Sequence, residues 1–168
     1  SDTVTTGDGN DAIFGDNGQV VYTAAVMTLL QSTDTVALTG GDDIIDAGDG
    51  NNMVIAGVGN DSVITGAGSD IVIGDNGTIN NDTNGFIVQA TSGDPTLGGS
   101  DMISTGDGFD LAIGGAFNDT VTSAGGNDIF VASYTAAGLH RWSQRFGSTG
   151  DDRGAGISVQ GSYVVVTG

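Results

Sequence analysis

The sequence contains no cysteine, no glutamate and no lysine. Without thiols, disulfides and thiolate metal sites are excluded. Cationic side chains are limited to Arg141, Arg145 and Arg153, and the single histidine is His140. So sparse a basic complement excludes nucleic acid and anionic membrane surfaces as expected partners. The longest mostly apolar run, Val20–Leu30, is broken by Thr23 and Thr28 and is too short to span a bilayer, so membrane insertion is not expected. No signal-peptide pattern is visible in the stretch. What is present is aspartate: all 21 acidic residues are Asp, and the net charge is −18. All but Asp151 and Asp152 precede residue 131, where no Lys or Arg stands. Self-repulsion on that scale opposes compaction and by itself favours disorder. Yet 38% of residues are hydrophobic, and β-branched residues are dense among them. Bound cations are the simplest reconciliation. The length, 168 residues, suits one or two small domains.

The aspartates keep a register. Asp43, Asn52, Asp61 and Asp70 are nine apart, as are Asp101, Asp110, Asp119 and Asp128, and as are Asp2 and Asp11. Two residues after each marker comes an apolar residue: Val4, Ile13, Ile45, Val54, Val63, Val72, Ile103, Ala112, Val121 and Phe130. Glycines recur four and two residues before the markers, at Gly48 and Gly50, Gly57 and Gly59, Gly66 and Gly68, and Gly106 and Gly108. A longer period of 58–59 residues relates "GDGNDAIFGDNG" (7–18) to "GAGSDIVIGDNG" (66–77). Insertions interrupt the rows at about 19–40 and 78–99. The second carries "NDTNG" (81–85), a hairpin-turn signal. The first reads as strands or a short helix.

Nine residues make a tight turn and a short strand, with glycine supplying positive φ in the turn. Each Asp then points back at exposed turn carbonyls. Carboxylate plus carbonyl is a hard, all-oxygen donor set, which suits calcium better than magnesium, with its stricter octahedron. Two rows form one coil of 18 residues, and stacked turns lie about 4.8 Å apart. Carboxylates at that spacing repel unless a cation separates them. Asp43 is therefore expected to pair with the turn ending at Asp61, Asn52 with Asp70, Asp101 with Asp119, and Asp110 with Asp128. Asp8, Asp49 and Asp107 occupy the variable turn position and are expected to face solvent.

"GVGNDSVIT" (57–65) and "GAGSDIVIG" (66–74) resemble the RTX, or hemolysin-type, calcium-binding nonapeptide repeat. The resemblance covers about 1–15, 40–77 and 98–131. It implies an all-β fold, a right-handed parallel β-roll or β-solenoid over 1–130 with inserted hairpins. It implies several Ca2+ ions bound by Asp2, Asp11, Asp43, Asn52, Asp61, Asp70, Asp101, Asp110, Asp119 and Asp128. Turn carbonyls around Gly48, Gly50, Gly57, Gly59, Gly66, Gly68, Gly106 and Gly108 would complete the sites. It also implies secretion, with folding delayed until extracellular calcium is met. Asn52 is a departure that weakens one site, and Phe117 and Ala124 replace turn glycines near Asp119 and Asp128.

Residues one and three after each marker face away from the interior. On alternate rows these are Thr3 and Thr5, Ser62 and Ile64, Met102 and Ser104, Thr120 and Thr122, a mostly polar face. On the other rows they are Ala12 and Phe14, Met53 and Ile55, Ile71 and Ile73, Leu111 and Ile113, Ile129 and Val131. So consistent an apolar face needs a cover. Either the insertions fold over it, or another copy or surface protein docks through Met53, Ile55, Ile71, Ile73, Leu111 and Ile113.

Composition shifts near 127. The segment 128–168, with "HRWSQRFG", "GDDRGAGISV" and "VVVTG", resembles one bacterial β-propeller blade, implying an antiparallel β segment over 131–168. The chain opens mid-repeat at "SDTVT", and both ends read as cut from a larger protein. No catalytic constellation stands out: Ser143, His140 and Asp151 have no spacing that supports a triad, and the glycine runs precede no helix, so no enzyme is expected. Asn-x-Ser/Thr at 60, 81 and 118 largely falls out of the repeat. The leading expectation is an extracellular structural module of a bacterial surface adhesin, S-layer or self-assembling fibre. The alternative is a secretion and folding module of a larger RTX exoenzyme or toxin. Ice or glycan binding is a third; the lack of a Thr ladder in the variable turn position argues against ice.

Overall fold

The computed structural model describes residues 1–131 and two later strands, β15 (Gly156–Gln160) and β16 (Tyr163–Thr167). From Thr3 onward the chain alternates between two parallel five-stranded sheets. The first is β1 (Thr3–Thr5), β5 (Ile44–Asp46), β7 (Ser62–Ile64), β11 (Met102–Thr105) and β13 (Thr120–Ser123), in that order. The second is β2 (Ala12–Phe14), β6 (Met53–Ile55), β8 (Ile71–Ile73), β12 (Leu111–Ile113) and β14 (Ile129–Val131).

Pairing is in register throughout: Val4, Ile45, Val63, Ile103 and Val121 are successive partners in the first sheet. Ile13, Val54, Val72, Ala112 and Phe130 are partners in the second. These ten side chains, with Ala47 and Ala56, form one cluster between the sheets. Short strands with one inward residue each leave no room for a larger core.

The insertions form a third, antiparallel sheet. Its members are β3 (Gly18–Thr23), β4 (Val26–Ser32), β9 (Gly77–Asn81) and β10 (Ile87–Ser92), ordered β10-β9-β4-β3. The first insertion is thus a hairpin, turning at Ala24 and Ala25 with φ of 50° and 67°, followed by a single 3-10 turn at Ala37–Thr39. The turn after β9 forms where "NDTNG" placed it: Asp82 Oδ1 accepts the N–H groups of Asn84 and Phe86.

This third sheet covers the apolar outer face. Leu30 of β4 and Ile79 of β9 pack with Ile55, Ile71, Ile73 and Ile113, and Met53 and Leu111 lie against the same cluster. The docking surface expected at those six residues is therefore corrected: Ile55, Ile71, Ile73 and Ile113 are buried by the chain's own insertions. The opposite face stays open, with Ile44, Ile64 and Met102 exposed among Thr and Ser. Leu30→Ala is expected to cost about 2–5 kcal/mol, measured by urea unfolding in calcium. A loss below about 1 kcal/mol would show that the covering sheet is only loosely seated.

β15 and β16 pair antiparallel, as expected for that region. The anticipated strand 139–145, and most of the blade-like segment, lie outside the described residues.

Candidate metal centre

Each marker residue stands at the end of a turn, just before a strand, and the two crossings between sheets sort the markers into two files. Asp2, Asp43, Asp61, Asp101 and Asp119 precede strands of the first sheet; Asp11, Asn52, Asp70, Asp110 and Asp128 precede strands of the second.

Within each file one side-chain oxygen holds the next turn. Asp43 Oδ1 accepts the N–H of Asp2 (2.5 Å), Asp61 Oδ1 that of Asp43 (2.8 Å), Asp101 Oδ1 that of Asp61 (2.8 Å), and Asp119 Oδ1 that of Asp101 (3.1 Å). The other file repeats this from Asn52 to Asp11 (3.0 Å), Asp70 to Asn52 (2.8 Å), Asp110 to Asp70 (2.9 Å) and Asp128 to Asp110 (3.1 Å). All four expected pairs are brought together. The steps across an insertion are 40 or 41 residues instead of 18, because the insertion bulges out of the turn while the stack continues beneath it. Rows with substituted glycines keep their place: Phe117 adopts the left-handed φ of 70° that glycine was expected to supply.

The second oxygen tells another story. Oδ2 of Asp11, Asp43, Asp61, Asp70, Asp101 and Asp119 is buried without a hydrogen-bond partner. Asn52 shows what that position faces. Its amide nitrogen donates to Gly48 O and Gly50 O, both at 3.2 Å, within its own turn. An amide N–H2 satisfies that carbonyl pair; a carboxylate oxygen in its place adds negative charge to it. A buried carboxylate without compensation costs several kcal/mol, and such groups are paired or bind metal. No Lys or Arg lies in residues 1–131, and the N-terminal amine reaches only Asp43, at 4.0 Å. The donor set therefore fits a hard cation. Among the described residues no three carboxylates or imidazoles converge, so carbonyls would have to complete any coordination.

Burial raises the pKa of these carboxyls. Asp61 is pushed up to about 7 and Asp101 to about 9, by desolvation first and by neighbouring aspartates second. Asp119 rises to about 6, and Asp43 and Asp110 also rise, all chiefly from desolvation. Backbone N–H bonds oppose the rise in each case.

Several residues outside the marker register take part. Asp49 and Asp107 face solvent as expected, and from there accept the N–H of Ala67 (2.8 Å) and Gly125 (2.9 Å) in the next turn. The residue before several markers does likewise: the backbone N–H of Asn51 bonds Asn10, that of Ser69 bonds Asn51, that of Asn60 bonds Asp42 and that of Ser100 bonds Asn60, each at a side-chain oxygen. The run of Asn, Ser and Asp at that position was the available signal. Asp16 and Asp75, in the two "GDNG" stretches, were missed too. Asp16 Oδ2 accepts the N–H of Val58 (2.7 Å), and its carboxyl is raised to about 6 by burial. Asp75 accepts Gly99 N–H at Oδ1 (2.8 Å) and Ala116 N–H at Oδ2, and burial raises it to about 7.

Stacked, oxygen-lined turns between two parallel sheets define a cation-binding repeat protein. The chain belongs to the RTX calcium-binding nonapeptide repeat family, whose profile matches four copies at residues 1–19, 31–63, 46–78 and 96–133. The family binds calcium, and its repeats point to a calcium-binding structural or secretion-related module. The matches end at residue 133 and lend nothing to the blade resemblance of 128–168. No curated protein and no solved structure is significantly similar to the chain.

Proposed function

We infer that residues 1–130 are a calcium-stiffened structural module, a right-handed parallel β-roll serving a secreted bacterial surface adhesin, S-layer or fibre. The observation that carries this reading is the row of buried Oδ2 atoms without partners in a stretch with no cationic side chain, beside a row in which the Asn52 amide meets two turn carbonyls. Asp11, Asp43, Asp61, Asp70, Asp101, Asp110, Asp119 and Asp128 are the carboxylate ligands in this reading. Carbonyls of the turns around Gly57, Gly59, Gly66, Gly68, Gly106 and Gly108 share the coordination. When bound, calcium supplies the positive charge that lets stacked carboxylates stay ionised in the interior. The chain's own residues do the rest: Oδ1 fixes the spacing of the turns, and Oδ2 is held toward the ion. Residues 131–168 are read as a separate β segment, and no catalysis is assigned. A secretion and folding module of a larger RTX exoenzyme or toxin is the second reading; a parent chain bearing a catalytic or toxin domain would favour it.

Asn52 makes the reading testable. Its amide already occupies the carbonyl pair of Gly48 and Gly50, so that turn needs no ion. Calorimetric titration with CaCl2 is expected to show several ions bound, with Asn52→Asp binding one more than the unaltered chain. Absence of calcium binding at millimolar concentration would refute the module. Unchanged stoichiometry in N52D would refute the assignment of the marker side chains as ligands.

A further inference from the structure

We propose that Asp75 and Asp16 each bring an extra carboxylate to a calcium site at the point where an insertion leaves the stack. This rests on the calcium reading above and deepens it, since neither residue belongs to the nonapeptide register.

Both stand where an ordinary row has a turn glycine. The pairing β2–β6–β8–β12 sets Asp16 and Asp75 level with Gly57 and Gly115. Each then reaches two turns at once. Asp75 holds Gly99, where its own insertion rejoins the stack, and Ala116 in the next row. Asp16 holds Val58 in the next row, while its Oδ2 lies against Gly40, where the first insertion rejoins. Asp75 is 2% exposed, so its charge is as deeply buried as those of the markers.

A cluster of acids is no site by itself; the unpartnered oxygens beside it supply the second observation. Asp101 is 1% exposed, and its Oδ2 has no partner. That atom lies under Gly74, the residue before Asp75, so closely that a Cβ on Gly74 would collide with it. Asp119 Oδ2, also without a partner, lies in the same way under Gly114, beside the Gly115 that abuts Asp75 Oδ2. The first insertion repeats the arrangement, with unpartnered Asp43 Oδ2 under Gly15, the residue before Asp16. At each junction a carboxylate from outside the register, buried at Asp75 and half-buried at Asp16, thus follows a glycine that covers an unpartnered marker oxygen, with no basic side chain in residues 1–131. The opposite file, with Asp11, Asp70, Asp110 and Asp128, has glycine at the corresponding positions 66 and 106; the acid that lies against Gly66, Asp49, is exposed, whereas Asp75 is buried. Calcium affinity rises with the number of charged ligands, so the two junction sites are the tighter class.

Calorimetric titration of the full 168-residue chain with CaCl2 tests this. Two affinity classes are expected, separated by at least ~10-fold. Asp75→Asn and Asp16→Asn should each remove one ion from the tighter class, and Asp70→Asn should reduce only the weaker one. Far-ultraviolet circular dichroism at saturating calcium checks that each variant is folded. If Asp75→Asn fails to fold, Asp16→Asn asks the same question at the other junction. A single affinity class in the unaltered chain overturns this proposal while leaving calcium binding intact. So does a tight class unchanged within twofold in folded D75N or D16N, which would make these residues backbone clamps only. No binding at all overturns both readings.

Discussion

With calcium chelated, the melting temperature is expected to fall as pH rises from 5 to 9, and with about 10 mM calcium present it is expected to rise. The sign follows from the buried carboxyls. Asp16, Asp61, Asp75, Asp101 and Asp119 are raised to about 6, 7, 7, 9 and 6, against about 3.9 in an unfolded chain. Between those limits the folded state holds more protons than the unfolded one, so its stability declines with pH. The protonated fold has its full advantage below about pH 4 and loses it as pH climbs through 6 to 9. By about 1.4 kcal/mol per pKa unit, a single such carboxyl opposes the ion-free fold at neutral pH by several kcal/mol. That is a large part of the stability of a typical domain. Calcium needs the ionised carboxylates, so it competes with protons and reverses the slope. At extracellular-type dissociation constants of ~10⁻⁴–10⁻³ M, about 10 mM calcium yields ~1.4–2.7 kcal/mol per ion. Several ions are therefore required to offset the cost, and folding should be steep in calcium concentration. Melting curves by circular dichroism at pH 5, 7 and 9, with calcium and with chelator, check it. Parallel slopes in the two series would sink the argument.

What the sequence disclosed depended on whether the signal was local. The ten core residues follow from a nine-residue period with one apolar position, and all ten meet between the sheets. The marker pairs within a unit were legible for the same reason. The links from Asp61 to Asp101 and from Asp70 to Asp110 cross an insertion, so no fixed spacing announces them. The apolar pairs Met53 and Ile55, Ile71 and Ile73, declared that something must cover their face, but polarity alone does not distinguish an insertion from a partner. Leu30 and Ile79 decide it, through a sheet assembled from two hairpins about 50 residues apart. Asp16 and Asp75 were hidden because their partners lie 24 to 42 residues away. Asn52 reads in sequence as a weakened ligand; only its two bonds to turn carbonyls reveal an amide donor where other rows hold an unpartnered carboxylate oxygen.

Gly108→Ala is expected to abolish the folded state, or to destabilise it by more than about 4 kcal/mol, while Gly9→Ala costs about 1 kcal/mol. Both glycines have nearly the same backbone, φ of 156° and 151°, so conformational strain alone predicts equal effects. Their surroundings differ. Gly50, Gly68, Gly108 and Gly126 stack in one column, with Gly108 bridging to both Gly68 and Gly126. A Cβ on Gly108 would overlap the carbonyl oxygen of Gly68, and that carbonyl belongs to a turn held by its own neighbours on either side. Relief would require two turns to move apart, breaking the N–H bonds from Asp70 to Asp110 and from Gly68 to Asp107 O. Gly9 begins the same column, and an added Cβ there meets nothing nearer than Asp11 Oδ1 at 4.0 Å. Chemical unfolding of the two variants in saturating calcium separates the explanations. Similar losses would mean that glycine is kept in these turns for its φ alone. A large loss confined to Gly108 would mean that the close stacking of turn on turn excludes any side chain, and that this contact sets the spacing at which the aspartates meet their ions.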